Sequence, residues 1–307
     1  MKYRAKHIAE YAGVEAAAGL FRLLPYRAAL CLGWLVAGAG FGVLRPRVRT
    51  AESRIREVFG GQFSSSEIRR IAWTSWRNLV FNAVEMARAP RIDLNWILSV
   101  SECRESLDRV KRHADTGQGA ILAVPHMGNW EMAAVAGRLY GIPIFSIAGR
   151  QRNPLVNRYI ESVRSASGIP TLERGQGALK SVVRRLREGG IFAILPDVRM
   201  AAEGVPVRFL GANANLGAGM AVFARHTGVP IFPCLALREG WRRHRFVTGD
   251  PVFPDLSLSK RADIERMMAT VMSVIEDAVR THPEQWFWYN RRWVLEPHEA
   301  PGTGAGV

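Results

Sequence analysis

The chain of 307 residues carries 42 Lys and Arg against 27 Asp and Glu, a formal charge of +15, and 48% of it is hydrophobic. That fraction fills a sizeable core and excludes intrinsic disorder, and no run reaches about 20 uninterrupted apolar residues, which excludes a polytopic membrane protein. Cys31, Cys103 and Cys234 are too few and too scattered for a disulfide framework or a C-x-x-C metal site, and the basic balance favours an acidic partner.

Residues 28–44 are free of charge, follow Arg22 and Arg27, and precede Arg45, Arg47, Arg49, Arg54 and Arg56. Such a run is at the lower limit for a bilayer span, so a transmembrane helix and an interfacial or buried helix both stay open. Contact with a membrane is expected in either case, the arginines lying on the cytoplasmic side or on anionic headgroups, the alternative being a solvated basic face on a soluble helix. Gly33, Gly38, Gly40 and Gly42 suit close helix packing. The run starts too late, and after too many charges, for a cleaved signal peptide. Ser64-x-x-Glu67 is a capping box that predicts a helix over 64–87, and 104–114 reads as another.

From Gly119 onward the period changes. Strands are expected at 120–125, 142–148, 191–196, 205–209, 229–237 and 246–252, helices at 130–140, 154–167, 176–188 and 217–227, and a closing helix at 260–281. The pattern predicts an α/β fold, a mixed, mostly parallel sheet flanked by helices, at 61–298. An N-terminal helical, membrane-associating arm at 1–60 precedes it, and a disordered tail at 299–307 follows.

The stretch 120–140 carries the chemistry. An apolar strand ends at Pro125, His126 follows at once, and Asn129 is a natural N-cap for the next helix. His126 thus sits at the carboxyl end of a strand, where open α/β sheets bind ligands. A loop His and a first-turn Glu131 can fold back to meet, the carboxylate holding one ring nitrogen and leaving the other as a general base. Gly128 would let a substrate approach the backbone, and free amides at the helix start would stabilise an oxyanion. The alternative is a His that merely caps a helix. No zinc-ligand spacing and no G-x-S-x-G elbow is present, so no metal is expected.

HMGNWE behind its apolar strand resembles the catalytic motif of the bacterial lipid A biosynthesis acyltransferase family. GRQRNP at 149–154, ILPDVR at 194–199, VPVRFLG at 205–211 and HPEQWFWYNRRW at 282–293 agree with the family in order. The resemblance implies a glycerolipid-acyltransferase-like fold and direct transfer of an acyl group from an acyl-carrier-protein thioester to a hydroxyl of a lipid A precursor. His126 would be the base and Glu131 its orienter. The enzyme would use no cofactor and face the cytoplasm from the inner membrane. Its partners would be acyl carrier protein, an anionic lipid and the membrane. Gly128, Asn129, Arg150, Asn153, Arg164 and Asp197 are candidate substrate contacts, Arg150 and Arg164 as phosphate clamps.

The chain departs from many relatives at Asn290, where they carry His, and at Val198, where Gln or His is common. A mycobacterial branch that acylates phosphatidylinositol mannosides has a Glu where this chain has Pro206. Another phospholipid or glycolipid acceptor, or thioester hydrolysis, would use the same residues. The basic residues are spread along the chain without any RRM, KH, helix-turn-helix or zinc module, so nucleic acid is not an expected partner. Phe192, Phe209, Met220 and Phe223 are candidates for an acyl tunnel or for core packing. Trp286, Phe287, Trp288 and Trp293 could anchor at the lipid interface or pack the last helix, and packing is the favoured expectation.

Overall fold

In the computed structural model, which describes residues 3–149, 151–173, 175, 177–200, 204–291 and 293–295, the chain opens with α1 (Ala5–Leu23), α2 (Tyr26–Val43) and α3 (Arg45–Phe59). Arg150 and the tail expected at 299–307 lie outside the described residues. Next come α4 (Ser65–Arg88), α5 (Leu94–Val100), β1 (Ser101–Glu102) and α6 (Arg104–Ala114). Alternation follows: β2 (Ala120–Ala123), α7 (Trp130–Leu139), β3 (Ile144–Ala148), α8 (Pro154–Ala166), β4 (Thr171–Glu173), α9 (Ala178–Arg187) and β5 (Ile191–Ile194). The chain continues through β6 (Val205–Phe209), β7 (Ala212–Leu216), α10 (Gly219–Thr227), β8 (Ile231–Glu239), β9 (Arg243–Thr248) and α11 (Lys260–Thr281).

The main sheet has the order β1-β9-β8-β2-β5-β3-β4, and every described pairing in it is parallel except β8 with β9. The expected mixed, mostly parallel sheet is present. Three of these strands, β1, β4 and β7, lie outside the expected set. Ala212–Leu216 pairs antiparallel with β6, setting Ala214 against Val207 and Leu216 against Val205. Leu210 (φ 51°) and Gly211 (φ 84°) supply the left-handed pair that a two-residue hairpin turn requires.

Strand side chains alternate between faces, and the two faces have different covers. Ala120 and Leu122 join Met132, Ala136 and Phe246 under α6 and α7, whereas Ile121 and Ala123 join Phe192, Leu186 and Met220 under α9 and α10. The sheet is therefore buried on both sides, as parallel strands require.

The N-terminal helices begin as their sequence dictates and pack closely. Ser64 and Glu67 form the reciprocal capping box at the start of α4. α2 is long and apolar enough to cross a membrane, yet it lies along α4. A Cβ on Gly33 would sit 3.0 Å from Val84 and one on Gly40 3.1 Å from Trp76, whose indole donates to the Ala37 carbonyl at 3.0 Å. The opposite side of α2 is open, with Leu35 59% and Val36 50% exposed. α3 buries Val48, Ala51, Ile55 and Phe59 in the main core, so the segment 45–59, read from its charge as part of the arm, packs into the domain. Trp286, Trp288 and Trp293 are buried there too.

Candidate active site

β2 and β5 are parallel neighbours with Ala123 opposite Ile194, and three residues further along each stand His126 and Asp197. Equal steps past a shared register bring the two together. His126 Nδ1 lies 2.9 Å from Asp197 Oδ1, and the His126 backbone N–H donates to Oδ2 at 2.8 Å. The Trp286 indole donates to the same Oδ2 at 2.8 Å. An ionised carboxylate only accepts, so Nδ1 carries the ring proton and Nε2 presents a lone pair. Nε2 hydrogen bonds to no described group, and 22% of the imidazole's surface stays exposed.

Burial opposes charge on both partners, but mutual attraction wins. The carboxylates of Asp197 and, more weakly, Glu131 hold the His126 pKa above its ordinary 6.5. Asp197 lies below the usual carboxylate range despite its burial, because His126 and Trp286 stabilise its charge. A base must be neutral to accept a proton, so the acid limb of the pH–rate profile is expected above pH 6.5. Asp197→Asn removes the charge that raises the imidazole and should shift that limb to lower pH while reducing the plateau rate. A pH profile of initial rates checks this, and an unmoved limb would show that Asp197 does not act on His126.

The expected pairing of Glu131 with His126 is not formed. Glu131, in the first turn of α7, is gripped by Arg164 of α8, Nη2 to Oε1 at 2.6 Å and Nε to Oε2 at 3.4 Å. A guanidinium fork offers two charge-assisted bonds to that carboxylate, and β5 delivers Asp197 to the ring. Glu131 therefore acts on His126 through its field.

The turn after His126 is held from three sides. The closing segment runs antiparallel to it: Phe287 N–H donates to His126 O at 2.9 Å, Gly128 N–H donates to Gln285 O at 2.9 Å, and Met127 bridges Trp286. From α4, the Asn82 amide donates to Gly128 O. Behind lies a buried cluster in which Arg238 donates to Glu85 at 2.8 Å and to Asn82 at 2.8 Å, and Asn129 and Tyr26 also donate to Glu85. His244 Nε2 is 3.3 Å from the same carboxylate. Burial would raise Glu85, but Arg238 and His244 bring it far below the usual carboxylate range.

These contacts correct three expectations. Gly128 (φ 56°) is required by packing rather than by a substrate's approach, since a Cβ there would meet the Ala236 carbonyl oxygen at 1.6 Å. Its N–H, spent on Gln285, is not free for an oxyanion. Asn129 is 1% exposed, caps α7 through Met132 N–H at 2.9 Å, and cannot reach a substrate. Asn153 caps α8 and donates to His7 O and Glu10 of α1, which makes it a tie between helices.

Beside His126 lies a cavity of about 830 Å³, within the size range of small-molecule sites, about 300–1,000 Å³. Its wall is mostly apolar, with Glu131, Arg164 and Arg199 as its charged members among the described residues. Trp130, whose ring centroid is 5.1 Å from that of His126, lines it too. Phe192 and Phe223 line the cavity, whereas Phe209 and Met220 are packed in the core. Cys234 also faces it, but burial pushes its thiol up to about 12, so it is no thiolate nucleophile at neutral pH. Among the described residues, no three His, Cys, Asp or Glu side chains gather where they could hold a metal ion.

Local sequence had no signal for Glu85, Asn82 or Arg238. Gln285 and Trp286 stood inside a recognisable closing block, but their work at the turn becomes visible only in three dimensions.

A family model for bacterial lipid A biosynthesis acyltransferases matches residues 2–294. The phosphatidylinositol mannoside acyltransferase of Mycolicibacterium smegmatis is 27% identical over 196 residues, 62% of this chain and 62% of its own. The lipid A biosynthesis acyltransferase of Haemophilus influenzae is 28% identical over 189 residues, 59% of this chain and 56% of its own. The chain thus spans less than two thirds of the length of either relative. A looser likeness, TM-score 0.39 at 16% identity over 88% of this chain and 99% of the other, is to the crystal structure of the 1-acyl-sn-glycerophosphate acyltransferase from Thermotoga maritima.

Proposed function

The chain belongs to the bacterial lipid A biosynthesis acyltransferase family, and from that premise we propose that it moves a fatty acyl chain from an acyl-carrier-protein thioester to a hydroxyl of a lipid A precursor. The observation that carries this reading is an imidazole with one nitrogen held by a buried carboxylate and the other bonded to no described group, its ring 5.1 Å from that of Trp130 in the wall of a large apolar cavity. His126 Nε2 takes the proton of the acceptor hydroxyl as its oxygen attacks the thioester carbonyl carbon. The C–S bond then breaks, the imidazolium returns the proton to the departing thiolate, and an ester remains. Asp197 holds Nδ1–H and balances the transient charge, and Glu131, fixed by Arg164, adds its field. Arg164 reaches the cavity wall, and with Arg150 it is the proposed contact for an acceptor phosphate.

The identity to a phosphatidylinositol mannoside acyltransferase supports a second reading for the acceptor alone, a mannosylated phosphatidylinositol. Incubating the purified protein with charged acyl carrier protein and each acceptor in parallel, then weighing the lipids by mass spectrometry, decides between them. Free fatty acid without an acylated lipid would overturn both.

The proposed location is the cytoplasmic face of the inner membrane, with the open side of α2 in the interface and the chain's +15 charge on anionic headgroups. Leu35→Glu with Val36→Glu alters only exposed positions. The double variant should keep its melting temperature but sediment far less with phosphatidylglycerol vesicles. Undiminished sedimentation would place the membrane contact elsewhere.

A further inference from the structure

We propose that the cavity beside His126 is a two-lobed site for two different hydrocarbon chains, the acyl chain in transit under α9 and α10 and a chain already borne by the acceptor under α6 and α7. The proposal rests on the acyl-transfer reading above and extends it to the second substrate.

The wall of the cavity draws on both faces of one sheet. Leu122, Ala193 and Cys234 face α6 and α7, whereas Phe192, Ile194 and Leu235 face α9 and α10, and all six line the same space. A hydrogen-bonded sheet has no opening between β8, β2 and β5. One space that touches both faces must therefore wrap over the carboxyl edge of these strands. His126 and Asp197 stand at that edge. Val124, Pro196 and Val198, within two residues of His126 or Asp197 along the chain, line the space at that edge, so the two lobes join next to the base, the geometry needed when a thioester carbonyl arrives on one hydrocarbon tail and a hydroxyl on another.

Charge and neighbours decide which lobe takes which chain. On its outer side α9 borders a groove with Lys180, Arg184, Arg187 and His226, opposed there among the described residues by Glu188. Leu179, 65% exposed, belongs both to this groove and to the cavity wall. An acidic carrier held on that basic face delivers its acyl chain past Leu179 into the α9 lobe. The other lobe is walled by α7, which packs on α4, the helix that bears apolar α2. A lipid acceptor drawn from a membrane at α2 enters from that side.

Ala178 lines the first lobe and Ala133 the second, so each lobe can be narrowed separately. The full-length protein is assayed with acyl carrier protein charged with C10 to C16 chains, and with a lipid A precursor of normal or shortened acyl chains. Ala178→Phe should move the preferred donor to a shorter chain and leave acceptor KM unchanged. Ala133→Phe should raise KM for the normal precursor roughly tenfold, less for the shortened one, and leave the donor profile unchanged. Ala178→Leu and Ala133→Leu, checked by thermal melting, serve where the larger side chain unfolds the protein. If Ala133 variants shift the donor profile as Ala178 variants do, one chain fills both lobes and the proposal is overturned. It is equally overturned if neither pair moves either substrate. Failure of the unmodified protein to acylate any lipid would instead remove the acyl-transfer reading itself, and the two-chain site with it.

Discussion

His126→Ala should lower kcat by about 10²–10⁴-fold, the usual worth of a positioned general base, with little change in melting temperature. The ring is partly exposed and its Nε2 hydrogen bonds to no described group, so among the described residues the change breaks one ring hydrogen bond, Nδ1 to Asp197. Asp197 keeps two donors after the change, the backbone N–H at position 126 and the Trp286 indole. Single-turnover transfer from a charged carrier, run beside a thermal melt, reads both quantities. Glu131→Gln should cost less, because Glu131 does not hold the ring. Turnover at the unmodified rate in a folded His126→Ala protein would refute the mechanism.

Arg238→Met should destabilise the fold by about 3–5 kcal/mol, since removing one partner of a buried pair leaves the other charge uncompensated. Domains have only about 5–15 kcal/mol in hand, so the variant sits near its unfolding threshold. The sign of its pH dependence should also reverse. In the unmodified protein Glu85 is held below its ordinary 4.5, so its contribution is present above that pH and is lost as pH falls. Without Arg238, burial favours the protonated carboxyl, and acidification toward pH 5 should raise the melting temperature relative to pH 8. Tyr26 and His244 face the same carboxylate, so the comparison is cleanest against Arg238→Met combined with Glu85→Gln, which should recover part of the loss and flatten the pH response. A variant that melts like the unmodified protein would show that the pair contributes nothing to the fold.

Features written in adjacent residues were legible in the sequence. The Ser64–Glu67 box and the Asn129 cap need only local spacing, and both form as expected. The same holds for His126 at a strand's end. The hairpin strand Ala212–Leu216 escaped notice because ANANL is small and half polar, and its pairing is set by the preceding VPVRF. The last strand, expected at 246–252, runs over Arg243–Thr248 instead, since pairing with β8 sets its register although its first residues are charged. The His126 partner is hidden in the sequence for a related reason. Glu131 is five residues away and Asp197 seventy-one, and only the insertion of β5 beside β2 makes the distant residue the nearer one. Glu85 and Arg238, far apart along the chain, gave no local hint of meeting under the turn.

The hydrogen bonds that tie Gln285, Trp286 and Phe287 to the turn at His126–Gly128 and to Asp197 also set a timetable for biosynthesis. A ribosome has delivered the base, its carboxylate and every described strand of the sheet well before these three residues emerge from the exit tunnel. Until they do, one edge of the turn has no partner and Asp197 lacks one of its donors. The nascent chain is therefore expected to stay catalytically silent until this segment has emerged and to become competent in a single step. A premature stop codon shortly before position 283 should yield a chain that retains most of its secondary structure and no turnover.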